Sequence, residues 1–406
     1  MAVTEQTVSL TPDTVARIQD ELRAQGVDGW LIFNFQGTNA VANNLLGLPA
    51  LTRRYFVWIP VQGTPVAVTH RIEQQPWTGW IGDNWPYSSW RELESRLSQL
   101  LPGNPRVAME YAPGNAVPYV DRVPAGVIEM IRATGAEPVT SGDLVSAFYA
   151  RWSEEGLAGH RRAARHVYEV AHEAFGRIAA AIREGRLLGE WDVRQWIAGE
   201  FARRGIRVGA DAIVAVNENA ANPHYAPSAD QHSLIAEGDL VLIDLWGKED
   251  EGAIYADQTW MGYVGEQVPQ RLEEIFAAVR DARLAAIDLI RRRSAAGEEI
   301  AGWEADDASR AVIVERGWGE QFIHRTGHSI DRELHGSGPN IDNLESKDTR
   351  RLIPGVGFSI EPGIYLAGDV GFRSEVDVYM GPDGPEVTTP EPQTAVYALL
   401  SDPRFA

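Results

Sequence analysis

The chain has 406 residues, 44% of them hydrophobic, and a formal net charge of −20. That length exceeds a usual single core and points to two domains, while the charge repels nucleic acid and anionic membrane surfaces. With no cysteine, disulfides, thiolate metal sites and a cysteine nucleophile are excluded. Residues 1–10 lack the basic patch and apolar core of a signal peptide, and no apolar stretch approaches a membrane span, so a soluble cytoplasmic protein is expected.

Residues 11–150 read as an α/β domain. Thr11-Pro12-Asp13 opens a helix with proline in its first turn. That helix carries Val15, Ile18 and Leu22 on one face and ends near Gly26. Gly29-Trp30-Leu31-Ile32-Phe33 reads as a buried strand. Further strands are expected at 55–61 and 65–69, joined at Gly63-Thr64, and at 107–110. The segment holding Trp77, Trp80, Trp85 and Trp90 reads as a packed loop region. A dimer contact or a lid is the alternative, because aromatic side chains are enriched at interfaces.

A boundary at 151–157 divides the chain into 1–154 and 155–406. Past it, Val167, Val170, Ala171, Ala174, Phe175, Ile178 and Ile182 recur at helical spacing until Gly185. A second helix turns Val193, Trp196, Ile197 and Phe201 inward and stops at Gly205. Segments 239–246 and 253–260 read as paired strands, 268–293 and 305–316 as helices, and 358–360 and 373–380 as strands. The order helix–helix–strand–strand thus occurs twice, which suggests two pseudo-symmetric lobes enclosing one site.

In this half Asp244, Asp257, His328, Glu361 and Glu375 offer the donors that two adjacent divalent cations need. Each has a plainer reading when taken alone. Asp244 follows four apolar residues, a costly place for an unpaired charge, or it simply ends the strand and caps a turn. Asp257 lies beyond the polar turn Lys248-Glu249-Asp250-Glu251-Gly252, so a hairpin could set the two carboxylates opposite each other. His328 follows Gly327, which permits close backbone approach, yet a lone histidine is usually a satisfied core or surface residue. Glu361 ends an apolar strand at Pro362-Gly363. Glu375, in Arg373-Ser374-Glu375-Val376-Asp377, looks by itself like an outward-facing charged alternation. Oxygen-rich ligation suits Mn²⁺, and one imidazole admits Co²⁺ or Zn²⁺. A water shared by two cations becomes a nucleophile at neutral pH, which points to hydrolysis.

The order Asp…Asp…Gly-His…Glu-Pro-Gly…Arg-x-Glu resembles the pita-bread metallopeptidases: prolidase, Xaa-Pro aminopeptidase and methionine aminopeptidase. The resemblance covers nearly the whole chain. It implies an α/β (α+β) protein whose pita-bread catalytic domain, with pseudo-symmetric lobes, spans 155–406. A smaller creatinase/prolidase-type α/β domain precedes it at 1–154. It implies two divalent ions per subunit and a homodimer. Asp244 and Asp257 would ligate one ion, His328 and Glu361 would complete the other, and Asp257 and Glu375 would bridge both. His224, in Asn222-Pro223-His224-Tyr225, is similar to a family histidine facing the substrate amide. His324 and His335 stand where proline-specific members bind substrate. Arg373 stands where they keep an arginine that binds a carboxylate or holds a metal-ligating one.

The departures from the family pattern are specific. Asp-x-Gly becomes Asp244-Leu245-Trp246 in a hairpin two residues longer than usual, and Asp-x-Thr-Arg becomes Asp257-Gln258-Thr259-Trp260. Gly-Ile-Gly after the metal histidine becomes Ser329-Ile330-Asp331, and His-Glu becomes His335-Gly336. The resemblance implies cleavage of Xaa-Pro dipeptides, with Glu361 shuttling the proton and His224 or His335 stabilising the oxyanion. An Xaa-Pro aminopeptidase acting on longer peptides is the nearest alternative. A metal-free creatinase-like amidinohydrolase and a non-catalytic pita-bread binding protein are the others.

Overall fold

The structure, a computed structural model, describes residues 10–406. The chain divides into compact units at Tyr149/Ala150. That point lies a few residues before the expected 154/155 boundary because Trp152 is already anchored in the second unit. Its backbone N–H donates to Gly355 O at 2.8 Å, and its indole N–H donates to Ile330 O at 2.8 Å.

The first unit contains α1 (Pro12–Gln25), β1 (Gly29–Asn34), α2 (Ala40–Leu46), β2 (Tyr55–Pro60), β3 (Val66–His70), β4 (Asp83–Tyr87), α3 (Trp90–Leu100), β5 (Arg106–Met109), α4 (Ala125–Arg132), β6 (Glu137–Thr140) and α5 (Gly142–Phe148). The strands form one sheet in the order β4-β3-β2-β1-β5-β6. Its two faces are covered separately: Val15, Ile18 and Leu22 of α1 pack with Trp30 and Ile32, while Leu93 and Leu97 of α3 pack with Leu31 and Phe33. This alternation along β1 explains its continuous apolar run. The tryptophan segment holds a strand as well as loop. Trp77 is buried edge-to-face against Tyr55 and Trp80, Trp85 packs against the second face, and Trp90 alone is exposed.

The second unit contains α6 (Glu154–Arg183), α7 (Glu190–Arg204), β7 (Ile213–Val216), β8 (Leu240–Gly247), β9 (Ala256–Tyr263), α8 (Gln270–Ala296), α9 (Gly302–Glu315), β10 (Ser329–Ile330), β11 (Gly357–Ile360), β12 (Gly363–Leu366), β13 (Val370–Arg373), β14 (Val376–Gly381), β15 (Gly384–Val387) and β16 (Tyr397–Ala398). Two four-stranded sheets, β16-β9-β8-β7 and β10-β11-β14-β15, are accompanied by a separate β12-β13 hairpin inserted in the chain between β11 and β14. The sequence α6-α7-β8-β9 is matched by α8-α9-β11-β14, the doubled order expected.

Strand β8 shows how the sheet aims the site. Val241, Ile243 and Leu245 join Val167, Val170 and Phe175 of α6 in one core. The period of two then directs Leu242, Asp244 and Trp246 to the opposite face. The single strand expected at 373–380 is instead broken at Ser374-Glu375, where the chain passes from pairing with β12 to pairing with β11. Buried Arg283 of α8 holds this break by donating from Nη1 to Ser374 Oγ at 2.6 Å. No helix among the described residues is long and apolar enough to cross a membrane.

Candidate metal centre

Asp244 and Asp257 share one face of the β8–β9 hairpin, but they are not register partners. Asp244 lies opposite Thr259 and Asp257 opposite Trp246. The carboxylates are therefore diagonal neighbours, not facing partners as the hairpin alone suggested, and diagonal positions remain within reach of each other's side chains. Glu375 enters from the β13–β14 break, Glu361 from the end of β11 and His328 from the residue before β10. Gly327 makes the last placement possible, since a Cβ there would lie 2.0 Å from Ser359 O. The close approach lets His328 N–H donate to Ser359 Oγ at 3.0 Å and Ser359 N–H donate to His328 O at 2.8 Å.

The five groups converge. Asp257, His328 and Glu375 present ligand atoms all within 4.8 Å of one another. His328 Nε2 lies 3.5 Å from Asp257 Oδ2 and 3.5 Å from Glu361 Oε1. Its Nδ1–H donates to Ser329 O at 3.1 Å, which fixes the tautomer and leaves Nε2 as a free donor of electrons. Asp244 Oδ1, Asp257 Oδ1 and Glu375 Oε1 are buried and have no hydrogen-bond partner among the described residues. Burial, followed by repulsion from neighbouring carboxylates, pushes the Asp257 and Glu375 carboxyls well above their ordinary range. Burial also raises Asp244, against the pull of the Arg373 guanidinium. Four carboxylates around one guanidinium make a poor charge balance in a largely buried site. Divalent cations fit this donor set.

The predicted substrate residues divide into two pairs. His224 and His335 are both exposed. The His335 ring meets His328 edge-on, with centroids 4.5 Å apart, and His224 lies near enough to favour the ionised form of Asp244. The other two are committed elsewhere. Arg373 is buried and donates to Asp244 Oδ2, to Thr259 Oγ1 at 3.0 Å and to Tyr365 OH at 3.3 Å. Its guanidinium holds the Asp244 carboxylate in place and is committed within this cluster. His324 has both ring nitrogens occupied, Nδ1 on Arg325 O at 2.6 Å and Nε2 on Tyr365 OH at 2.7 Å. It therefore supports Tyr365 instead of offering a nitrogen to substrate.

Several supporting groups were not singled out from the sequence. Thr259 Oγ1 donates to Glu375 Oε2 at 2.7 Å, Ser359 Oγ donates to Glu361 Oε1 at 3.2 Å, and Asp377 Oδ2 accepts from Asp257 N–H at 3.0 Å. A period-two reading would have found Thr259, Ser359 and Asp377, each two residues from a candidate ligand. Arg373, Glu375 and Asp377 are all buried, so the outward-facing alternation is excluded. The departures have separate fates. Trp246 shares the face of Asp244 and packs against the cluster that holds Tyr255, whereas Trp260 is buried on the other face beside His172 and Tyr397.

The sequence profile of metallopeptidase family M24 matches residues 161–382. A curated relative, the Xaa-Pro dipeptidase of Lactobacillus delbrueckii subsp. lactis, is 38% identical over 165 residues, 41% of this chain. That alignment spans only 40% of the relative's length. A probable dipeptidase PepE of Mycobacterium tuberculosis is 27% identical over 331 residues, 80% of each chain. The solved dipeptidase PepE of Mycobacterium ulcerans superposes with a TM-score of 0.69 at 22% identity, covering 95% of this chain and 96% of its own. The likeness is one of fold, and together with the doubled element order it gives the second unit the two-lobed pita-bread architecture. With the profile spanning more than half of its length, the chain belongs to metallopeptidase family M24.

Proposed function

We propose that this protein is an Xaa-Pro dipeptidase, a prolidase, working with two divalent ions per subunit, Mn²⁺ being the first choice and Co²⁺ or Zn²⁺ the others. The observation that carries the reading is the clustering of Asp257, His328 and Glu375, whose ligand atoms lie within 4.8 Å of one another, together with buried oxygens of Asp244, Asp257 and Glu375 that have no hydrogen-bond partner among the described residues. The relatives' names supply the substrate class. Cations held by these side chains and Glu361 would supply Lewis acidity toward a scissile carbonyl and acidify a water.

The chain's own groups do the rest. Glu361 is the least enclosed of the carboxylates around His328, with 15% of its side chain accessible against 5% for Asp257. It can therefore take a proton from water and deliver it to the leaving prolyl nitrogen. Ser359 Oγ orients its Oε1. His224 and His335 stand on the open side and donate to the developing oxyanion. Arg373 being committed to Asp244, recognition of the proline carboxylate falls to the exposed histidines or to groups beyond this shell. A homodimer and a cytoplasmic location belong to the same reading.

Hydrolysis of an Xaa-Pro dipeptide is compared with that of an Xaa-Pro-Xaa tripeptide, each with Mn²⁺, Co²⁺, Zn²⁺ or chelator. Metal-dependent cleavage of the dipeptide alone supports the proposal. Cleavage of the tripeptide transfers the protein to the Xaa-Pro aminopeptidases, and cleavage of neither by metal-loaded protein refutes both.

A further inference from the structure

Two of the sequence departures, Asp331 and Gly336, meet in space. Both belong to the short loop after β10 that carries His335. The buried Asp331 carboxylate accepts from Glu333 N–H at 2.8 Å on Oδ1 and from Ser337 N–H at 2.9 Å on Oδ2. It thereby ties together both sides of the turn around His335. A Cβ at Gly336 would lie 2.8 Å from both Asp331 Cγ and Oδ2 and 2.8 Å from Ser329 Oγ. Glycine is required because the carboxylate already fills that space. The same loop is fastened at its base: Tyr255 N–H donates to Asp331 O at 3.1 Å, and buried Lys248 donates from Nζ to Arg332 O at 2.6 Å. Ser329 completes the frame, accepting from Gly336 N–H at 2.7 Å on its carbonyl and from Gly338 N–H at 2.9 Å on Oγ.

The loop is thus cross-linked along its length, and its one exposed imidazole, His335, is set edge-on against His328. We propose that Asp331 is a positioning residue for His335, with Gly336 as its matched partner. Asp331 touches no substrate; it fixes the backbone from which His335 reaches the reacting carbonyl. A buried acid with two backbone donors serves this purpose well, because charge-assisted bonds to N–H groups are short, strong and directional. The proposal rests on the reading of His335 as an oxyanion donor given above.

The test is a double-mutant cycle between positions 331 and 335, with kcat and KM on an Xaa-Pro dipeptide and metal content measured for each protein. His335→Ala should lower kcat about 100-fold, the scale for losing one oxyanion donor. Asp331→Ala should lower kcat about 10-fold with bound metal unchanged, the scale for losing a supporting contact. In the His335→Ala background the same change should cost little, since Asp331 acts through the ring already removed. Equal losses in both backgrounds, or a fall in metal content that accounts for the loss, would overturn the proposal. If His335→Ala itself leaves kcat unchanged, the oxyanion role of His335 fails and this inference falls with it. If Asp331→Ala alone has no effect while His335→Ala does, only the inference fails. Should Asp331→Ala not fold, Asp331→Asn, which keeps an acceptor for one of the two N–H groups, carries the same cycle. Gly336→Ala supplies an independent arm: it should depress kcat in the native background and lose part of that effect once Asp331→Ala vacates the space.

Discussion

Replacing Arg373 by lysine separates two roles that its position in the sequence left open. The guanidinium donates to Asp244, to Thr259 at 3.0 Å and to Tyr365 at 3.3 Å. A lysine ammonium keeps the charge but cannot span the three acceptors, because it lacks the planar fork. Losing the bonds to the two hydroxyl oxygens at about 1 kcal/mol each removes about 2 kcal/mol from the support of the carboxylate cluster. That corresponds to about 30-fold in metal affinity, within the range for losing a group that orients metal ligands. Metal titration of the stripped protein measures the first quantity. Steady-state kinetics on an Xaa-Pro dipeptide and on its C-terminal amide measure the second. The structure requires weaker metal binding, a lower kcat at limiting metal, and the same ratio of KM between acid and amide as in the native protein. Unchanged metal affinity together with a KM raised for the free acid alone would refute the assignment and return Arg373 to the substrate.

Metal removal should show a signed pH dependence. Burial and mutual repulsion raise the Asp257 and Glu375 carboxyls well above their ordinary range. A group whose folded pKa is raised contributes stability at low pH that is lost as pH rises through the folded value. A cation that neutralises the pair cancels the loss. The fall in Tm on adding chelator should therefore be larger near about pH 8 than near about pH 5.5, and calorimetry finding a larger fall at the acid end would contradict the charge balance described. Gly327→Ala should destabilise the protein by roughly 2–3 kcal/mol or prevent folding, as overpacking against backbone does, because the added Cβ would lie 2.0 Å from Ser359 O. A denaturant midpoint equal to that of the native protein would mean that the β10–β11 contact gives way more easily than the packing implies.

How much of this was legible beforehand varies from element to element. The helix from Pro12 to Gln25 could be read from Thr11 and Gly26 alone, and both ends cap as such residues do: Thr11 Oγ1 accepts from Thr14 N–H, and Gly26 is left-handed. Helix α6 and strands β8 and β9 followed from apolar periodicity, since one face of each meets a core that any fold of this chain must supply. Shorter pieces such as β7, β12 and β16 escaped notice, because two to four residues carry too little pattern to separate a strand from a loop.

The candidate ligands were legible in a different way. Taken alone, Asp244, Asp257, His328, Glu361 and Glu375 each had a plainer reading, and it was their order along the chain that marked them as a set. What tertiary structure alone decided is how their partners are shared out. Register placed Asp244 beside Thr259 and not beside Asp257, and the break at Ser374-Glu375 turned Arg373 inward onto Asp244. Tyr365 closed off His324, and the Asp331 carboxylate came to rest where a Gly336 side chain would have been. Local sequence reports the cost of burying a charge, but which neighbour offsets that cost depends on segments meeting in space, some as far apart in the chain as Asp244 and Arg373.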